Sequence, residues 1–343
     1  MSTREIEYAG KTKNFRQSMT NPDMWDVEVL GNLTYGDGVY IYKIPEVAEL
    51  KTQQILKTNK LFEQAGISTA ITGDIEGGYV TEKMEAIPLE VVFRYKITGS
   101  ALEKYPYYQD GDTPESGMMF EVNFKDSVFR EPDGTLRVLP ESETVGYPVE
   151  NRYTDPLVNL VEQENGEYKW FLHPNHGEFN ANEPLIEIVP VVDAKTLNTI
   201  LNTAEKSSEV LKSRIEANGG ELIDGKFEFG RDKDGNIVLL EAITLDEIRT
   251  KYEGRQRSKQ VFRDIVEEKI SQIKVDLSDD PKSQEQMWKQ VPNMQKAKEV
   301  FALFTKEDDE RLIGIYKKGV EMVSAPVLGN QQKPGTAPGA ELA

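Results

Sequence analysis

The 343-residue chain has no cysteine and only two histidines, His173 and His176. Without cysteine there is no disulfide, no thiolate metal site and no thiol nucleophile. The histidines stand together in Leu-His-Pro-Asn-His-Gly, where Pro174 prevents a shared helical face. They read as a loop without catalytic duty, which disfavours chemistry built on a tuned imidazole base. Positive charge is also short: 41 Lys and Arg against 59 Asp and Glu leave a net charge of −18. Such a surface is a poor partner for nucleic acid or an anionic membrane. No stretch of about 18 apolar residues occurs, and the opening Met-Ser-Thr-Arg-Glu-Ile-Glu has no apolar leader core. The expectation is a soluble, cytoplasmic protein with small-molecule partners, self-association being left open. Its chemistry would rest on lysine, arginine and a metal.

The most informative pattern spans 221–249. Asp224, Lys226 and Glu228 alternate with Ile223, Phe227 and Phe229, the signature of a strand with one charged and one apolar face. Asp234-Gly235 is a two-residue turn signal, and 237–240 reads as the returning strand. In that register Lys233 faces Asn236 and Glu228 lies opposite Glu241, their Cβ atoms roughly 4.5–5.5 Å apart. Two carboxylates so close repel unless a cation lies between them, and their oxygens, with waters and phosphates, suit Mg²⁺. The same pattern also describes a solvated strand face, and a three-residue loop would turn Glu241 to the other side.

Elsewhere, Gly10 followed by Lys11 and Lys13 offers close backbone approach and point charges for a phosphate. Residues 27–44 read as two strands around Gly36-Asp37-Gly38. A helix is expected over 46–65, with Leu61, Phe62 and Ala65 inward and Gly66 just past its end. Gly77-Gly78 turns into a strand ending near Ile87-Pro88, and a new strand from Leu89 carries Arg94 towards Gly99-Ser100. Ser100 and Glu103 read as a capping box, hence either a helix N-terminus able to hold an anion or a merely capped helix. Hairpins are expected at Pro132-Asp133-Gly134, joining 119–129 to 135–139, and at Asn165-Gly166, joining 157–161 to 168–172. Asp193 caps an amphipathic helix through Ile215 that stops at Gly219-Gly220. After Arg249, apolar faces at 261–273, at Met287, Trp288 and Val291, and at Leu312, Ile313, Tyr316 and Val320 read as helices. A disordered tail is expected from Ser324.

In this order the segments resemble the SAICAR synthetase (phosphoribosylaminoimidazole-succinocarboxamide synthase) family over roughly residues 5–265. Leu222-Ile-Asp-Gly-Lys-Phe-Glu-Phe-Gly230 is similar to its Leu-[Ile/Val]-Asp-x-Lys-x-Glu-Phe-Gly signature. Tyr8-x-Gly-Lys-Thr-Lys13 resembles its nucleotide loop, Asn59–Phe62 with Ala65-Gly66-Ile67 its first helix, and Pro88–Arg94 with Gly99-Ser100 its crossing segment. Lys259-Gln-Val-Phe-Arg263 resembles its Asp-Lys-Gln-x-x-Arg helix.

The resemblance implies an α+β fold, with a small kinase-like β-rich lobe (1–88) packed on an ATP-grasp-like substrate and metal domain (89–265). C-terminal helices (266–323) and the tail (324–343) would follow. It also implies an ATP- and Mg²⁺-dependent ligase joining CAIR (carboxyaminoimidazole ribonucleotide) and aspartate in purine biosynthesis. Glu228 and Glu241 would hold the metal, with Lys11, Lys13 and Glu228 at the nucleotide and Lys226 and Asp224 at the reaction. Arg94, Ser100, Asp246, Arg249, Lys259 and Arg263 would meet the substrate. The chain departs from the family pattern at Glu241 (usually Asp), Ala242 (usually acidic), Tyr95 (Asn), Thr154 (His) and Thr244-Leu245 (Ser-Pro), and it adds the 157–172 hairpin. A related ligase or phosphotransferase with another amine acceptor therefore stays open beside the first reading.

Overall fold

The computed structural model describes residues 5–35, 40–125, 128–130, 136–138, 156–173, 186–272 and 294–324. Alternating strands build two main antiparallel sheets. The smaller contains β1 (Tyr8–Ala9), β2 (Lys13–Gln17), β3 (Met24–Val29), β6 (Ile71–Ile75) and β7 (Gly78–Glu82), in the order β1-β2-β3-β7-β6. Beside it β4 (Asn32–Tyr35) and β5 (Tyr40–Lys43) form a hairpin, leaving Gly36-Asp37-Gly38 outside the described residues. The stretch 27–44 thus holds three strand segments, not two. The break falls at Gly31, where any Cβ would lie 2.1 Å from the Ile44 carbonyl oxygen.

The larger sheet is laid down by β8 (Glu85–Arg94), β9 (Met119–Phe124), β12 (Leu157–Glu162), β13 (Tyr168–His173), β14 (Ile186–Ile188), β15 (Gly220–Arg231), β16 (Ile237–Leu239), β17 (Ile248–Tyr252) and β18 (Arg255–Arg257). Its order is β14-β13-β12-β9-β8-β15-β17-β18, with β16 also on β15. Pro88 ends no strand, because it falls where the β8–β15 register shifts between Glu228 and Gly230 and its missing N–H costs no regular rung. The expected 119–129 strand is divided into β9 and β10 (Val128–Arg130), the latter paired with β11 (Leu136–Val138). The Asn165-Gly166 hairpin forms as expected and extends the sheet; His173 closes β13 opposite Leu157 instead of lying in a loop. His176 lies outside the described residues.

Helix α1 (Pro45–Gln64) ends in Gly66 at φ +68°, and α3 (Ala194–Ala217) starts from Asp193, whose carboxylate accepts the Thr196 N–H at 2.6 Å. Leu197, Ile200, Ala204, Leu211 and Ile215 of α3 join Leu89, Val91, Phe93, Phe227 and Phe229 of the sheet in the main core. Between β8 and β9, α2 (Ala101–Lys104) is one turn, and no capping box forms. Ser100 is itself helical (φ −59°, ψ −17°), so its side chain cannot reach forward as a cap. Helices α4 (Gln260–Gln272), α5 (Met294–Ala302) and α6 (Lys306–Val323) follow, α6 packing on α1 and α3. The helix expected at 287–291 and the tail from 325 lie outside the described residues. Among the described residues no helix is long and apolar enough to cross a membrane.

Candidate active site

Pairing of β15 with β8 sets Asp224 against Arg94, Lys226 against Val92 and Glu228 against Glu90. Pairing of β8 with β9 sets Glu90 against Asn123 and Val92 against Glu121. Because side chains alternate, all the charged groups share one face. The opposite face carries Phe93 stacked on Phe227 at 4.9 Å and is sealed by the core.

The hairpin closes differently from the two-residue turn. Asp232 Oδ1 accepts the N–H groups of Asp234 (2.9 Å) and Asn236 (2.8 Å), which stabilises a three-residue loop with Gly235 at φ +81°. Phe229 therefore pairs with Leu239, and the ladder taken further would put Leu240 opposite Glu228. The N–H groups of Leu240 (2.9 Å) and Glu241 (3.3 Å) both point to the Glu228 carbonyl oxygen. This extra residue cancels the shift, and the Glu241 and Glu228 carboxylates still meet.

Three lysines line these acids. Lys125 Nζ donates to Glu228 Oε1 at 2.6 Å, Lys226 Nζ to Glu90 Oε2 at 2.7 Å, and Lys13 Nζ, from the small sheet, to Glu241 Oε1 at 3.3 Å. Burial, then the charge of Glu241, raises the Glu228 carboxyl above its ordinary value. Burial also opposes ionisation of Glu241, yet Lys13 and Lys226 outweigh it and hold that acid low. Lys226 pays for burial too, but Glu241, Glu90 and Glu228 keep its ammonium firmly protonated. Glu247 closes the cluster; burial, with Glu241 and Asp246 against it and Lys13 for it, pushes its carboxyl up to about 7.

A second network adjoins the first. Arg94 donates from Nε and Nη2 to Glu121 (3.0 and 2.9 Å) and from Nη1 to Asp224 (2.9 Å), while Lys104 reaches Glu121 at 2.6 Å. Arg249 binds the same Asp224 through Nε at 2.7 Å and through Nη2. Three cations against two carboxylates leave one positive charge over. Arg94 is only 4% exposed, and its contacts brace Glu121 and Asp224. Arg249 is the half-buried, more accessible end, and Gly99 (φ +61°) makes room for it: a Cβ there would lie 2.9 Å from Nη1.

The other expected site residues divide. Lys11 is exposed in the turn between β1 and β2. Asp246 is turned inward, accepting Lys51 Nζ (2.6 Å) and the Tyr316 hydroxyl (2.6 Å), which ties the turn before β17 to α1 and α6. Burial lowers the Lys259 ammonium although Asp246 lies near; Arg263 is exposed one turn along α4. Ala242 sits in an apolar cluster with Val27, Ile55 and Tyr79, and the Tyr95 hydroxyl is 3.1 Å from Ser208 of α3. Thr154 lies outside the described residues. Sequence reasoning missed Glu90, Lys104, Glu121, Lys125 and Glu247; strand parity with Arg94 would have found Glu90.

Lysines interleave with carboxylates where two antiparallel sheets meet, beside an arginine-ended cationic network, an arrangement of charge suited to phosphate groups. The sequence model of the SAICAR synthetase family matches residues 6–136 and 174–279. The chain belongs to that family. It is 24% identical over 276 residues to a phosphoribosylaminoimidazole-succinocarboxamide synthase of Methanocaldococcus jannaschii, covering 78% of this chain and 91% of that protein. It is 28% identical to the protein of the same name from Campylobacter concisus, covering 73% and 85%. Among solved structures it resembles a SAICAR synthetase in complex with ADP, with a TM-score of 0.54 and 26% identity over 76% of this chain and 90% of that one. The added β12–β13 hairpin falls in the gap of the family match.

Proposed function

We propose that this chain is the ATP-dependent ligase of purine biosynthesis that joins CAIR and L-aspartate to give SAICAR, ADP and phosphate. Family membership supports the reaction. The observation that carries its placement is the meeting of Glu228 and Glu241 beside Lys13, Lys125 and Lys226. A carboxylate oxygen of CAIR attacks the γ-phosphorus of ATP, and the bond to ADP breaks. The aspartate amine then attacks the acyl carbon of the acyl phosphate; the C–N bond forms, phosphate leaves, and the amine gives up its proton.

The chain's own groups supply charge and position. Lys13 and Lys11 meet the nucleotide phosphates, and Lys226 meets the transferred phosphoryl group. Arg249, held by Asp224 and through it by Arg94, grips the ribose phosphate with the two-oxygen geometry that suits guanidinium. The donor set fits Mg²⁺: two carboxylate oxygen groups forced together, one of them raised by the other. Among the described residues no group of three or more acids or histidines forms a cage, and Mg²⁺ bound through phosphates and water does not need one. Glu228 and Glu241 would hold it, and bound there it supplies neutralisation of the triphosphate. The division into a nucleotide lobe (1–88), a substrate domain (89–265) and C-terminal helices, and a cytoplasmic location, belong to this reading.

The assay is ADP release by the purified protein with Mg²⁺, ATP and CAIR, with aspartate and then with other amino acids. Release with aspartate is expected; release only with another acceptor identifies a related ligase instead, as the altered positions 95 and 242 allow. Glu228→Gln should lower turnover by about 10²-fold or more, with an unchanged melting curve. A variant turning over near the wild-type rate removes Glu228 from the site.

A further inference from the structure

Lys125 has no role in the signature segments, yet it makes the shortest ion pair to Glu228. The Glu90–Asn123 pairing places Asn123, and two residues on Lys125, on the charged face of the sheet. Its ammonium lies 2.6 Å from Glu228 Oε1, an oxygen that is also 3.5 Å from Lys226. Lys226 has its closer partner in Glu90, and Lys13 in Glu241. Three ammonium groups thus face three carboxylates, with the Glu247 carboxyl beside Lys13, and each ammonium has its acidic partner before any ligand arrives.

We propose that Lys125 stands in for a divalent cation at Glu228 in the nucleotide-free enzyme and joins Lys226 at the transferred phosphoryl group when nucleotide is bound. This rests on the ligase reading above. Glu228 cannot give the same oxygen fully to a metal and to Lys125, because two cations sharing one carboxylate repel. Of the two lysines on that oxygen, Lys125 is the one released, since Lys226 keeps Glu90. Lys125 stands just beyond the end of β9 on a flexible four-carbon stem, and its side chain is 30% exposed, so it can change partner without unpacking the core. An arriving triphosphate supplies the negative charge it loses.

The exchange predicts opposite signs for metal binding and catalysis, which an ordinary surface ion pair does not. Mn²⁺ binding to full-length protein without nucleotide is followed by the electron paramagnetic resonance of free Mn²⁺, and kcat and KM are measured alongside. Lys125→Met should bind Mn²⁺ roughly tenfold more tightly, the equivalent of one lost ion pair to a partly buried acid. Its kcat should fall roughly 100-fold, with KM for CAIR within about twofold. Lys125→Arg should return Mn²⁺ affinity to the wild-type value. Unchanged or weaker Mn²⁺ binding by Lys125→Met, or a kcat near wild type, overturns the proposal. Glu228→Gln separates the two layers: if it loses Mn²⁺ while Lys125→Met is flat, only the role of Lys125 fails. If Glu228→Gln binds Mn²⁺ like wild type, the metal assignment fails and the exchange with it.

Discussion

Glu121 is the strongest test of the arginine network. It is 2% exposed, and its two oxygens take Arg94 Nε and Nη2 and Lys104 Nζ, the last at 2.6 Å. Glu121→Gln keeps the shape but removes the charge, so the network goes from one surplus positive charge to two. Breaking a buried pair by removing one partner costs about 3–5 kcal/mol. Burial already holds the Lys104 ammonium below its ordinary range even with Glu121 present, so in the variant this lysine can shed its proton. The loss should therefore fall near the lower figure, about 3 kcal/mol. Urea unfolding followed by tryptophan fluorescence measures it, Trp170 being buried in the same sheet. The double variant Glu121→Gln/Lys104→Met should lose less than the two single losses added together, because both changes remove the same ion pair. A second consequence is functional. With Arg94 loosened, Asp224 no longer fixes Arg249, and KM for CAIR rises. A single-variant loss under about 1 kcal/mol, or strict additivity in the double variant, would refute this account of the network.

Two further predictions concern the edge of the site. The Glu247 carboxyl, raised to about 7 chiefly by burial, holds its proton more tightly folded than unfolded, so its own contribution to stability is whole below the ordinary carboxylate range and is lost as pH rises from there through 7. Glu247→Gln should flatten the urea midpoint between pH 5 and 8 and gain on the order of 1–3 kcal/mol at pH 8; an unaltered pH slope counts against a buried acid here. Tyr316→Phe removes the donor to Asp246 Oδ1 and should cost about 1.5–3 kcal/mol, as for a hydrogen bond to a charged group. A thermal midpoint equal to wild type would mean that α6 is not tied down by this contact.

Much of the active face was legible because it obeys period two. Asp224, Lys226 and Glu228 fell on one side as their alternation required, and Asp193 and Gly66 marked helix ends by their own chemistry. What was not legible depends on distant partners. Nothing local says that Arg94 is turned onto Glu121, or that Asp246 is claimed by Lys51 and by a tyrosine 70 residues later. Ser100 misled because its side chain suits a cap while its backbone is already helical. The pairing of Glu228 with Glu241 was anticipated on the wrong loop length; a three-residue turn and a bulge, each shifting by one, restored the meeting.

That compensated hairpin also fastens the acidic cluster to both sheets. Leu239 exchanges backbone hydrogen bonds with Ser68 and Ala70, and Ala242 is immersed in the apolar centre of the smaller sheet. Swinging one half away from the other would tear those bonds and wet that centre. Along this line the two sheets are therefore held together, whatever the lysine side chains around the acidic cluster do.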